Sequence, residues 1–303
     1  MNMASTSRVL ISRLDPLAFR MAGILPRYRG DYVSDSAPII IGGCGRSGTT
    51  LLRVILDTHS EICCGPESNL LCCWRPRGYV ISSLARRFEM DSEEIRALFN
   101  DSRTHAEFID RFFARVCENE NAKFWSEKSP RNVHAIDYIF RHFPKARFIH
   151  MIRDGRDTVC SLRNHPRHRV VNGELIPTNI DNPISYCVNR WVTDVEAGLK
   201  YRNDPRYIEV RYEDLVLRSR ESVEKLFEFL QMPMEEDVLA YHQVKSESRD
   251  VTKFPQNPEA VKPMYSSAIG RWQDSFSDAD REYFKRHAGE TLRQLGYAES
   301  DKW

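Results

Sequence analysis

The sequence predicts an α/β fold, a parallel sheet flanked by helices within a single domain, and three runs of residues predict it. The continuous apolar run Pro38-Ile39-Ile40-Ile41 ends in glycines and gives way to Leu51, Leu52, Ile55 and Leu56 at helical spacing. A second strand-like run, Arg147-Phe148-Ile149-His150-Met151-Ile152, is followed by a helix beginning near Asp154. A third, over residues 207–212, precedes Val223, Leu226, Phe227 and Leu230, again at helical spacing. Strands that alternate with helices argue for a parallel sheet covered on both faces.

The remaining segments follow in chain order. Residues 1–37 read as an N-terminal arm on a domain spanning residues 38–303. The arm carries Arg8, Arg13, Arg20, Arg27 and Arg29 against Asp15. These charges interrupt each apolar stretch before it nears the ~20 residues of a spanning helix, so no membrane span is expected. A packing arm is the reading, with a transit peptide or a membrane-surface helix as alternatives. Asp91 with Glu94, and Thr104 with Glu107, have the three-residue offset of a capping box and signal two helices. Phe108, Phe112 and Val116 form the apolar stripe of the second, a core face. Residues 123–125 are strand-like, and Pro130 suits the first turn of a helix running over residues 131–142. Two polar, irregular stretches, residues 163–183 and 246–271, read as lids or linkers.

Composition narrows the function. In 303 residues, 41% are hydrophobic and 29% charged, enough apolar content for a packed core. Lys and Arg number 44 against 43 Asp and Glu, so no global basic field gathers nucleic acid. Eight cysteines include the adjacent pairs Cys63-Cys64 and Cys72-Cys73, which lack zinc-ligand spacing. Reduced thiols in a cytoplasmic protein are the expectation.

Gly43-Cys44-Gly45-Arg46-Ser47-Gly48-Thr49-Thr50 has the glycine spacing of a phosphate-cradling loop and lies between a buried strand and a helix start. There, backbone N–H groups and the positive end of the helix face an anion. A nucleoside-triphosphate loop of the Walker type has Lys after its second glycine; here Thr49 stands in that place, which argues against an ordinary NTPase.

Three further features gather around this P-loop-like start. Arg153 follows the strand ending at Ile152, with Ser161 two helical turns on, where ligands collect in an open parallel sheet. Alone, the cluster Arg153-Asp154-Gly155-Arg156-Asp157 reads as salt bridges of Arg156 with Asp154 or Asp157. Glu67 is a candidate proton acceptor beside the loop, against the alternative of a surface acid. Lys128, in Glu127-Lys128-Ser129-Pro130, is a candidate cation over developing charge, against an ordinary surface lysine.

Together the residues resemble the sulfotransferases that use 3′-phosphoadenosine-5′-phosphosulfate (PAPS), and most closely the tyrosylprotein sulfotransferases. The resemblance rests on GGCGRSGTTLLRVILDTHSEICCGPE at residues 42–67, EKSP at 127–130, FPKARFIHMIRDGRDTVCSL at 143–162, RW at 190–191, RYEDLV at 211–216 and VKP at 261–263. It covers roughly residues 38–297. It implies that Arg46, Ser47, Gly48, Thr49 and Thr50 bind the 5′-phosphosulfate, and that Arg153 and Ser161 bind the 3′-phosphate. Tyr212 and Lys262 match family contacts to the nucleotide. Glu67 matches the general base, Lys128 and Arg46 the groups that stabilise transferring charge. Thr252 stands near a family serine with a similar role.

The resemblance implies sulfuryl transfer from PAPS to an acceptor hydroxyl, on a peptide tyrosine, a glycan, a lipid-linked sugar or a small phenol or alcohol. A non-catalytic protein binding the desulfated nucleotide, PAP, is the reading of another class. No metal is expected, because side-chain cations can take its place at a group of low charge. A homodimer is the base-rate expectation for a soluble enzyme. The chain departs from the family at Asn69, where an arginine holds acidic peptide, with Arg75 and Arg77 further on. His165 also replaces a family arginine, with Arg163 and Arg167 close by.

Overall fold

Five parallel strands in the order β2-β3-β1-β4-β7 form the sheet in the computed structural model. Described are residues 31–73, 75, 77–165, 167–171, 174–178, 181–243, 262–264, 266–300 and 302–303. The strands are β1 (Ile39–Gly43), β2 (Ile62–Cys64), β3 (Phe124–Lys128), β4 (Arg147–Ile152) and β7 (Tyr207–Arg211). An antiparallel hairpin, β5 (Arg167–Val171) with β6 (Glu174–Thr178), stands apart from the sheet.

Strand alternation sorts the apolar side chains to two faces. Ile40, Cys63, Trp125 and Phe148 enter one buried cluster, with α2 (Arg77–Phe88), α3 (Ser92–Asp101), α4 (His105–Asn119) and α5 (Ile136–His142). Ile39, Ile41, Ile62, Cys64, Ile149 and Met151 enter another, with α1 (Thr49–Asp57), α8 (Tyr212–Leu217) and α9 (Ser219–Leu230). A third cluster joins α6 (Gly155–Arg163), α7 (Ile184–Leu199) and the C-terminal helices α10 (Trp272–Ser275) and α11 (Asp278–Gln294). The run that reads as a continuous apolar strand is therefore one buried on both sides.

Chain connections set the position of the site. After β1 the chain moves through α1 to the β2 edge, and after β4 it moves towards β7. Neighbouring strands β1 and β4 thus send their following segments in opposite directions, which opens a crevice beyond their carboxyl ends. The phosphate-type loop leaves β1, and Arg153 leaves β4, at that crevice.

Several elements differ from the sequence reading in instructive ways. Asp91 caps α3 by accepting from Glu93 N at 3.0 Å, whereas Glu94 pairs with Arg115 across to α4. Thr104 accepts from Glu107 N at 3.1 Å, but the Glu107 carboxylate returns to Arg103 N. A complete capping box forms instead at Ser277 and Asp280. Pro130 opens a 3-10 turn, Pro130–His134, before α5 begins. The polar stretch after Arg163 contains the β5–β6 hairpin. Phe108, Phe112 and Val116 are buried, as a core stripe should be. Of the N-terminal arm, residues 1–30 lie outside the described residues. Beyond them, Tyr32, Ser34 and Ser36 each donate a hydroxyl to Asp110 of α4, at 2.6, 2.5 and 2.7 Å. No helix among the described residues is long and apolar enough to cross a membrane.

Helix α7 crosses β4 where Gly198 meets His150; a Cβ on Gly198 would lie 2.3 Å from Nδ1. His150 is fully buried, with Nδ1 2.5 Å from the Tyr207 hydroxyl. Burial lowers its pKa to about 3. The folded protein therefore holds a neutral ring while the unfolded chain takes up a proton below pH ~6.5. Stability is full above that pH and falls as the pH drops towards 3. Between pH 7 and 5 this group should account for about 2 kcal/mol of lost stability. Urea unfolding at the two pH values should show that loss in the native protein and a smaller one in His150→Gln; equal losses would contradict a neutral buried imidazole.

Candidate functional site

The 43–48 loop has a backbone that side chains resist. Gly43 has φ 150°, Arg46 φ 74° and Gly48 φ 94° with ψ 10°. At Gly48, a Cβ would lie 2.6 Å from the Tyr212 ring, so this position needs glycine for conformation and for space. Arg46 pays for the left-handed turn without that freedom, and such a residue persists only where its surroundings hold it. Here Arg46 Nε donates to Ser161 Oγ at 3.1 Å, and Arg153 Nη1 donates to the Arg46 carbonyl at 3.1 Å.

Helix α1 begins at this loop with no side-chain cap and no acidic residue in its first turn. Its leading N–H groups are consequently left to face an anion. Ser47 Oγ is buried and has no hydrogen-bond partner among the described residues. That hydroxyl is therefore available to a polar ligand at the loop.

Arg153 is 4% exposed and lies over the Tyr212 ring at 4.6 Å. Besides Arg46, its guanidinium donates to the Ala268 carbonyl, while Nε finds no partner among the described residues. It therefore acts as a staple between the 43–48 loop and the 266–271 segment. Asp157 holds that segment from the other side, accepting from Gly270 N at 2.7 Å and Trp272 N at 3.1 Å; burial raises its pKa. Asp154 caps α6 and pairs with Arg156 at 2.7 Å, so one of the two salt bridges anticipated for Arg156 forms and the other does not. Glu213, next to Tyr212, accepts from Asp154 N at 2.9 Å and from the Tyr297 hydroxyl at 2.8 Å. Burial raises its pKa too.

On the opposite side of the loop, Lys128 Nζ lies 3.3 Å from Thr50 Oγ1 and 2.6 Å from Glu67 Oε1. The lysine side chain is 4% exposed and the glutamate 28%. Lys128 is the last residue of β3, and Glu67 follows β2, a three-residue strand between it and α1. That strand end is pinned by Arg53 Nη1 to Cys64 O at 3.2 Å and by Cys64 N to Asp57 Oδ1 at 2.7 Å. Arg87 of α2 donates to the Glu67 carbonyl. Glu67 is neither a free surface acid nor is Lys128 a solvated lysine; they form one ion pair against the anion loop.

The candidates thus fall into two groups about one loop, Arg46, Ser161, Arg153 and Tyr212 on one side and Thr50, Glu67 and Lys128 on the other. Lys262 is exposed, and its carbonyl receives the Tyr241 hydroxyl at 2.5 Å. Thr252 lies outside the described residues. Asn69 sits at φ 58° with its N–H on Ser129 Oγ at 3.1 Å. Arg163 pairs with Asp280 at 2.9 Å, and His165 is exposed. Arg190 of α7 escaped sequence reasoning except as part of a motif. Its Nη2 would lie 3.1 Å from a Cβ on Gly45, and its Nε 3.5 Å from Asp194. The partners of Glu213 and Asp157 were also beyond its reach, since they lie 59 and 113 or more residues away.

Residues 38–236 match the family described as the sulfotransferase family. The chain is 26% identical over 278 residues to protein-tyrosine sulfotransferase A of Caenorhabditis elegans, covering 88% of this chain and 68% of that one. It is 28% identical to the Drosophila melanogaster protein-tyrosine sulfotransferase, covering 77% and 46%, and 28% identical to human protein-tyrosine sulfotransferase 1, covering 80% and 64%. The chain therefore spans about two thirds of the nematode and human relatives and under half of the fly one. Among solved structures, the sulfotransferase domain of the Synechococcus PCC 7002 olefin synthase superposes with a TM-score of 0.63 at 21% identity, covering 85% of this chain and 96% of that one. A mouse sulfotransferase complexed with PAP gives 0.55 at 13% identity, covering 86% of each. These two share the fold.

Gly48→Ala should force a Cβ against Tyr212 and a left-handed alanine, at a conformational cost of about 1–2 kcal/mol. Isothermal titration should find PAP affinity reduced about tenfold or more, that cost being felt where the loop amides meet the ligand. Unchanged affinity would mean that the loop path does not shape the anion site.

Proposed function

Since the chain belongs to the sulfotransferase family, we propose that it carries a sulfuryl group from PAPS to the hydroxyl of a peptide tyrosine. The observation that carries this reading is the position of Lys128 Nζ, shared between Thr50 of the anion loop and the Glu67 carboxylate. It links an anion cradle to a proton acceptor through one cation. The named relatives, all protein-tyrosine sulfotransferases, support the peptide acceptor.

The residues fit the donor. The uncapped start of α1 and the partnerless Ser47 hydroxyl suit its 5′ end, while Arg153 Nε and Ser161 suit a second phosphate on the β4 side. When bound, PAPS supplies a sulfuryl group attached to a phosphate that leaves readily. Sulfuryl transfer, like phosphoryl transfer, asks chiefly for in-line positioning and charge stabilisation. Glu67 takes the proton of the attacking hydroxyl. With the donor bound, Lys128, Arg46 and the loop amides would stabilise the charge at the leaving oxygen. These side-chain cations are the support for a reaction without metal.

A glycan, lipid-linked sugar or small-molecule hydroxyl is the second reading, favoured by Asn69 at the place where the resemblance puts a peptide-holding arginine. A reducing, cytoplasmic setting is likewise proposed, supported by eight buried cysteines that stand as separate thiols. Burial drives the Cys64 thiol up to about 12, and its Sγ faces Ser126 Oγ at 3.2 Å.

Incubation with sulfur-labelled PAPS and a panel of tyrosyl peptides, glycans and phenols tests donor and acceptor together. Glu67→Gln should lower kcat by ~10²–10⁴ while PAP affinity stays near that of the native protein. Undiminished turnover would remove Glu67 as the base.

A further inference from the structure

We propose that Glu127 is a positioning residue for the transfer, a buried carboxylate that sets Glu67 and Lys128 at their working separation. The proposal rests on the reading of Glu67 as base. Glu127 is 1% exposed, and a carboxylate so buried is costly unless donors surround it. Four hydrogen bonds reach it. Oε1 accepts from Ser68 N at 3.1 Å, Ser68 Oγ at 2.8 Å and Ser129 Oγ at 2.6 Å. Oε2 accepts from Asn132 Nδ2 at 2.5 Å.

Each donor belongs to a different part of the site's frame. Ser68 adjoins Glu67, and its Oγ also accepts from Leu70 N at 3.1 Å, which closes the turn after β2. Ser129 adjoins Lys128, and its Oγ accepts from Asn69 N at 3.1 Å, a second stitch between the same turn and the end of β3. Asn132 Nδ2 also donates to Ile41 O at 3.0 Å, in the strand that runs into the anion loop. Glu127 therefore ties the turn bearing the base, the strand bearing the cation and the strand feeding the loop into one network. It touches no reacting atom in this arrangement, and its effect passes through Glu67.

Glutamine has the size of glutamate but turns an NH₂ group towards a donor. In Glu127→Gln the serine hydroxyls can turn to accept, but Asn132 Nδ2 and Ser68 N can only donate, so one of those two bonds must be given up, and partly satisfied buried networks are poor ones. A shift of about 1 Å in a reacting group can lower the rate ~10²-fold.

The test is kcat for Glu127→Gln and Ser68→Ala, each made in the native protein and in Glu67→Gln, with PAP affinity and the thermal midpoint measured alongside. Glu127→Gln should lower kcat about ten- to a hundredfold with PAP affinity within about twofold of native, and should have little further effect once Glu67 is replaced. Ser68→Ala should give the same pattern at smaller size, and decides the matter if Glu127→Gln does not fold. Unchanged kcat in both variants, a parallel loss of PAP affinity, or equal losses with and without Glu67 would overturn the proposal. Failure of the underlying reading looks different: Glu67→Gln would itself turn over like the native protein, and both ideas would fall together.

Discussion

The path of the chain between Gly43 and Gly48 is the constraint on which the rest of the site depends. It passes through positive φ at Gly43, Arg46 and Gly48, and brings the chain to an α1 start that has no side-chain cap. The path is held from β4, because Arg153 donates to the Arg46 carbonyl while lying on Tyr212, and Tyr212 in turn fills the space beside Gly48. One buried arginine therefore couples the two segments that leave neighbouring strands in opposite directions. Its partners explain why a cation can stay at 4% exposure: two carbonyls accept hydrogen bonds from its guanidinium, which also lies on an aromatic face.

Around this fixed loop the carboxylates divide into different tasks. Asp57, Glu127, Asp157 and Glu213 accept main-chain N–H groups and hold segments in place. Glu67 is the more open acid at the crevice, and its partner is a lysine rather than the backbone. A reacting acid must release one partner and take another, which an ion pair at the edge of solvent permits more readily than a buried net of N–H bonds. The same division separates Lys128, poised between Thr50 and Glu67, from Arg53, whose side chain is fixed on the Cys64 carbonyl.

Much of this was legible in the sequence where the signal was local. The strand over residues 147–152 has the bounds its apolar run indicates, and the β1–loop–α1 passage follows from glycine spacing and the change of hydrophobic period. Three-residue β2 was not legible, because Ile62-Cys63-Cys64 is too short to show a period. The β5–β6 hairpin was hidden for another reason: its strands, RHRVV and ELIPT, mix charged and apolar residues without a period of two, and they pair with each other and not with the five-stranded sheet. Glu67 and Lys128 were each recognisable as candidates, but their 2.6 Å contact joins positions 61 residues apart and follows from β2 and β3 lying side by side. Asp157 looked like a salt-bridge partner by proximity in sequence, yet its hydrogen bonds reach Gly270 and Trp272, which only the fold brings near.

The proposed transfer requires two anion pockets, one at the α1 start and one beside Arg153 and Ser161, to grip the two phosphate-bearing ends of one nucleotide. The most direct measurement is calorimetric titration with PAP and with adenosine 5′-phosphate in the presence of EDTA. A charged hydrogen bond contributes about 1.5–3 kcal/mol, so PAP should bind about ten- to a hundredfold more tightly. Equal affinities, or no binding of PAP, would contradict it.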